Sequence, residues 1–263
     1  MANITVRYFS GCLKRQNVFE LYLPNDVPND SPWEKNREQE PPRPMKTLFV
    51  LHGYTGSAWN WVPEHLCQKY NIAVVTPNGE NGFWLDGLST GHQYCTMLGE
   101  EMISYLRGTF GLAKSPEDTC VMGFSMGGFG ALHTGLAYPG VFGKIGAMSS
   151  ALIVHEVAGM TEGNGNGIAN YEYYRECFGE PSKVLESDSN PETLADRLLS
   201  EGKKLPEIYM CCGTEDFLLE NNRAFRRFLE SRNIPHEYHE SAGTHDMVFW
   251  NEYTEKIIDW MFG

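Results

Sequence analysis

Apolar residues along this chain fall into two kinds of pattern. Short uninterrupted runs at Thr47–Leu51, Ile72–Val75, Thr119–Met122 and Ile208–Cys212 suit strands buried on both faces, as in a parallel sheet. Between them the apolar positions recur at helical spacing. Met97, Leu98, Met102, Ile103, Tyr105, Leu106 and Phe110 predict a helix over 97–110, and similar spacing predicts helices over 222–229 and 254–261. Strands alternating with helices predict an α/β fold, a mostly parallel central sheet with helices on both faces. Ile4–Phe9 and Val18–Leu23, linked through Ser10-Gly11, predict a hairpin. The polar alternation of His236-Glu-Tyr-His-Glu240 predicts an edge strand.

Two stretches break the pattern. Pro24–Pro44 is rich in Pro, Asn, Asp and Glu, and reads as an exposed loop, because core-like sequence lies on both sides. Ser150–Pro206 holds Gly163-Asn-Gly-Asn-Gly167 and two short predicted helices, near 171–178 and 192–200. An insertion at about 151–206 is either a cap over a site at the sheet edge or a surface excursion. Residues 1–263 read as a single domain, a length that α/β folds reach without division.

Composition narrows the function classes. Hydrophobic residues at 41% suffice for a large core, and charged residues at 21% argue against disorder. A net charge of -13 disfavours nucleic acid and anionic membranes, both of which need a basic footprint. The seven cysteines are scattered without a C-x-x-C pair, as expected of small buried hydrophobes in a reducing compartment. No apolar run is long enough to span a bilayer, and the start of the chain lacks the pattern of a signal peptide. The expected location is cytoplasmic.

The chemistry concentrates at Gly123-Phe-Ser125-Met-Gly127. This G-x-S-x-G follows a predicted strand and precedes Gly127-Gly-Phe-Gly-Ala131, which reads as a helix start. Strand, turn and helix together make a nucleophile elbow, in which glycines let Ser125 sit on a sharp turn with its hydroxyl above the sheet. Upstream, Leu51-His52-Gly53-Tyr54 places a turn directly after a strand, where ester hydrolases of this kind take a second oxyanion donor. The expected donors are the backbone N–H groups of Tyr54 and Met126. Of eight histidines, His245 is the candidate base, because it lies on a loop between the last strand and the terminal helix. Glu215 and Asp216, just after the 208–212 strand, are rivals for the carboxylate that orients it. Asp246 reads as a local carboxylate. The loop after Ile72–Val75 carries Phe83 and Trp84, bulky candidates to close off a small acyl pocket, and Trp59, Trp61 and His52 are further candidates for the pocket wall. No metal-ligand spacing and no phosphate-binding loop occurs.

His52-Gly-Tyr-Thr-Gly56, Pro77-Asn-Gly-Glu-Asn81, the elbow, Gly213-Thr-Glu-Asp216 and the late His245 together resemble the putative esterase family. That family includes tributyrin esterases, S-formylglutathione hydrolases, and acetyl xylan and feruloyl esterases, and the chain is most similar to bacterial tributyrin and acetyl esterases. The resemblance implies an α/β-hydrolase fold, the triad Ser125, Asp216 and His245, an oxyanion hole at Tyr54 and Met126, no cofactor, and room for homo-oligomers. The expected activity is hydrolysis of short acyl esters, with an acylated sugar among the candidate substrates. S-formylglutathione hydrolysis, acyl transfer, feruloyl or acetyl xylan esterase activity and a catalytically silent binding module are the competing readings. A glutathione site calls for basic residues to meet its carboxylates, and no such site is identified in the sequence.

Overall fold

A computed structural model describes residues 2–24 and 45–263. All of the predicted loop Pro24–Pro44 except its first residue lies outside the described residues.

Eight strands form one sheet in the order β1-β2-β4-β3-β5-β6-β7-β8. They are β1 (Ala2–Ser10), β2 (Arg15–Leu23), β3 (Lys46–Leu51), β4 (Ile72–Pro77), β5 (Thr119–Phe124), β6 (Lys144–Met148), β7 (Glu207–Gly213) and β8 (His236–Ser241). β1 and β2 form the antiparallel N-terminal hairpin, with Ala2 opposite Leu23, and β2 pairs antiparallel with β4. All other pairings are parallel. The central strands are buried along almost their whole length, which is why they read as continuous apolar runs. The edge strands β1 and β8 alternate, because each leaves one face in water. β6 was not foreseen. Its Lys-Ile-Gly-Ala-Met is too short and too interrupted by glycine to signal a strand, and its neighbours β5 and β7 define it.

Helices cover both faces. On one lie α1 (Glu64–Tyr70) and the terminal α8 (Met247–Phe262), packed through Leu66, Trp250, Tyr253 and Ile257. On the other lie α2 (Ile103–Phe110), α3 (Met126–Ala137), α6 (Pro191–Ser200) and α7 (Leu219–Ser231), contributing Leu106, Phe129, Leu132, Leu198 and Phe225. The helix predicted over 97–110 is α-helical only in its second half. Met97–Met102 is wound as a π-helix, which apolar spacing alone does not distinguish. Residues 151–206 hold α4 (Val154–Ala158), α5 (Tyr171–Phe178) and α6. They dock through Val157, Tyr174, Phe178, Val184 and Leu194 onto the same core as the sheet. All seven cysteines are free thiols, six buried and Cys12 partly so. Among the described residues no helix is long and apolar enough to cross a membrane.

Candidate active site

Ser125 stands between the end of β5 and the start of α3 with φ 56° and ψ -122°. A non-glycine residue in that region carries strain of about 1–3 kcal/mol, and persists only where its surroundings fix it. Here three hydrogen bonds do so: Ser125 N–H donates to Met148 O at 2.9 Å, and its carbonyl accepts from Phe129 and Ala151, both at 3.0 Å. The turn also needs Gly127, where any Cβ would collide with the Leu51 carbonyl of β3. The strained turn lifts the hydroxyl off the sheet, with the first turn of α3 behind it.

The loop after β8 brings His245 to this hydroxyl. His245 Nε2 lies 2.9 Å from Ser125 Oγ, and Nδ1 lies 2.8 and 3.0 Å from the two carboxylate oxygens of Asp216. A carboxylate only accepts, so Nδ1 carries the proton and Nε2 presents its lone pair to the serine. Burial by itself would raise the Asp216 pKa. The hydrogen bonds from His245 and from the Leu218 N–H outweigh it and hold the carboxyl below its usual range. Between the rival carboxylates, the structure brings Asp216 to the imidazole and sends Glu215 elsewhere. Glu215 accepts the Gly243 N–H at 2.6 Å and the Thr214 hydroxyl at 2.9 Å, clasping the loop that carries His245. Asp246 caps α8, accepting the N–H groups of Val248 and Phe249.

Tyr54, Ser125 and Met126 border one cavity of about 300 Å³. Met126 opens α3, where the first N–H groups have no intrahelical acceptor. Among the described residues the Tyr54 N–H also has no acceptor, so both candidate donors remain available. His52, expected in the substrate pocket, is not in its lining. It is buried, its Nε2 accepts the Gly79 N–H at 3.0 Å, and its Nδ1–H donates to Gly53 O at 2.8 Å. Burial lowers its pKa, so both ring nitrogens serve the backbone in the neutral form. The Gly53 carbonyl also accepts the Gly56 N–H at 3.0 Å. His52 thus braces the Gly53–Tyr54 peptide instead of touching a ligand.

Trp84 requires the same correction. It is fully buried, wedged between Gly79 and Gly130 where a Cβ at either would strike the indole, and its Nε1–H donates to His52 O at 3.2 Å. Its neighbour Phe83 is the residue that lines the cavity. Both have left-handed backbones, φ 52° and 57°, and successive residues in that turn send their side chains in divergent directions. Trp59 and Trp61 pair with each other away from the cavity, and Trp61 is anchored to Thr254 of α8. Of the two bulky residues expected on that loop, Phe83 borders the cavity and Trp84 does not, while sequence reasoning missed Ile153, Glu156, Asn166 and Tyr174 from 151–206 and Phe217 and Asn221 near the start of α7. None of them carries a motif. Among the described residues no cluster of metal-ligating side chains is assembled.

Comparison with known proteins shows the family and the fold. The family model described as "Putative esterase" matches residues 10–258. An acetyl esterase from Caldicellulosiruptor saccharolyticus is 38% identical over 265 residues, covering 99% of this chain and 98% of its own. Among solved structures, a substrate-bound Staphylococcus aureus fluorophosphonate-binding serine hydrolase superposes with a TM-score of 0.82 at 24% identity, covering 100% and 98% of the two chains. An S-formylglutathione hydrolase of the same organism superposes at 0.80, also at 24% identity, covering 100% and 99%. At that identity the structural likenesses speak for the α/β-hydrolase fold alone.

Proposed function

The chain belongs to the putative esterase family, and from that premise we propose that it is a serine carboxylesterase cleaving short acyl esters, acetyl to butyryl, through an acyl-enzyme on Ser125. The observation that carries the reading is the hydrogen-bonded chain Asp216–His245–Ser125 opening into a small apolar cavity. In the first half-reaction His245 Nε2 takes the Ser125 proton as Oγ bonds to the ester carbonyl carbon. The carbonyl electron pair moves onto oxygen, where the N–H groups of Tyr54 and Met126 stabilise it. Collapse breaks the bond to the alcohol oxygen, which takes the proton from Nε2. Water then repeats the sequence, releasing the acid and restoring Ser125. Asp216 keeps the imidazole in the required tautomer.

Cavity size supports the short-acyl limit. About 300 Å³ lies at the small end of ligand pockets. Phe83, Ala151, Ile153 and Tyr174 are among the residues that wall it. We read residues 1–263 as one domain and 151–206 as its cap, because that stretch supplies one wall of the cavity. A glutathione thioester is the weaker candidate, since among the described residues no Lys or Arg lines the cavity to meet its carboxylates. The test is a series of nitrophenyl esters from acetyl to dodecanoyl. Activity should climb to about butyryl and then fall; faster turnover of decanoyl than of butyryl esters overturns the short-acyl reading.

A further inference from the structure

The mouth of the cavity is built differently from its floor. Phe217, exposed at 65%, lays its ring 4.6 Å from that of His245, and Ile168, also exposed, borders the same cavity. Three polar side chains complete the rim: Glu156, Asn166 and Asn221. Their hydrogen bonds fix which edge each presents. Asn166 Oδ1 accepts the N–H groups of Ile168 and Ala169 and the Tyr174 hydroxyl, so its amide must place oxygen there and leave Nδ2 as a donor. Asn221 Nδ2 donates to Leu152 O at 3.2 Å and to Glu156 Oε1 at 2.8 Å, so its Oδ1 is the remaining acceptor. Among the described residues, Glu156 Oε2 has no partner.

We propose that these residues form a subsite for the alcohol portion of the substrate, one that reads neutral, hydroxyl-rich alcohols and rejects anionic ones. It rests on the esterase reading above and names its substrate class. Phe217 sets the side. The departing alcohol takes its proton from His245 Nε2, so it must leave beside the ring that packs on that imidazole. An exposed aromatic face suits the C–H surface of a sugar ring, and a rim of one donor and two acceptors suits hydroxyls, each of which both donates and accepts. The Glu156 carboxylate, with no Lys or Arg in the lining among the described residues, makes the same rim unfavourable for a carboxylate-bearing alcohol. Asn221 holds that carboxylate in place.

The test uses two substrates that differ by one charge, a monoacetylated methyl glucoside and the corresponding monoacetylated methyl glucuronide, with nitrophenyl acetate as a reference. A carboxylate several ångströms from Glu156 in a wet cleft predicts about a tenfold preference in kcat/KM for the neutral sugar. Glu156→Gln should bring that ratio close to one. The ratio is internal to each enzyme, so a general loss of activity or of folded protein cancels. Raising ionic strength from about 0.01 to 0.5 M should erode the ratio in the wild type and leave it flat in the variant. Phe217→Ala should raise KM for the glucoside ester more than for nitrophenyl acetate. If nitrophenyl acetate is hydrolysed but the wild type does not discriminate, or Glu156→Gln keeps the full ratio, the subsite is wrong and the esterase reading stands. If no ester is hydrolysed, both fall.

Discussion

Phe83→Ala should lengthen the acyl chain the enzyme prefers, and Trp84→Phe should not. Phe83 is 4% exposed and borders the cavity that holds Ser125, with its ring 4.8 Å from that of Phe178 and 5.6 Å from that of Phe129. Truncating it opens room for about three methylenes, each worth about 0.8 kcal/mol of burial, or roughly a fourfold gain. The ratio of octanoyl to butyryl kcat/KM should therefore rise by up to about 60-fold. The stability cost should fall at or below the lower end of the roughly 3–5 kcal/mol range for Phe→Ala, since one side of the ring already faces the cavity. Alanine inherits the same left-handed backbone, so strain does not confound the comparison. Trp84→Phe leaves the His52 carbonyl without its donor and should cost about 1–3 kcal/mol of stability while the chain-length optimum stays put. The assay is the nitrophenyl ester series with each variant, beside thermal unfolding to establish folding. A folded Phe83→Ala with an unmoved ratio, or a Trp84→Phe that shifts it, refutes the assignment of the wall.

A fluorophosphonate probe should label Ser125 alone, and Ser125→Ala should lose about 10⁴-fold or more in kcat with unchanged circular dichroism; labelling that persists in the variant rejects the nucleophile. Asp216→Asn should lower kcat by about 10²–10⁴-fold, whereas Glu215→Gln, which only loosens the Gly243 loop, should cost less than about tenfold; the reverse order would hand the role to Glu215. His52 and His133 are held below the ordinary histidine range chiefly by burial. The unfolded chain therefore binds protons that the native chain does not as pH falls below about 6.5, so stability is fully present above that value and declines below it. Urea midpoints between pH 8 and 5 measure this, and a flat profile contradicts the buried neutral histidines. Asp246→Ala should destabilise α8 by about 1 kcal/mol through loss of its cap, read as a drop in melting temperature.

Much of this architecture was legible along the chain, for a local reason. Strands buried on both faces must be apolar throughout, and an elbow that presses α3 against β3 tolerates only glycine at 123 and 127. Those demands act on consecutive residues, so β3, β4, β5, β7 and the elbow could be read in order. A pair such as Glu215 and Asp216 could not be resolved that way. Adjacent carboxylates at a strand end differ only in which way the turn sends them, and contact with His245, 29 residues later in the chain, decides. The same holds for Phe83 and Trp84, which two left-handed residues divide between cavity and core. It holds for His52, whose partners Gly53 and Gly79 turned a presumed ligand contact into a brace for the Tyr54 peptide. The cavity wall is the extreme case. Glu156, Asn166, Tyr174, Phe217 and Asn221 come from separate elements, and no local spacing marks them. Sequence specifies a residue where the backbone around it is the constraint. Tertiary structure decides where the constraint is a partner that folding brings from elsewhere.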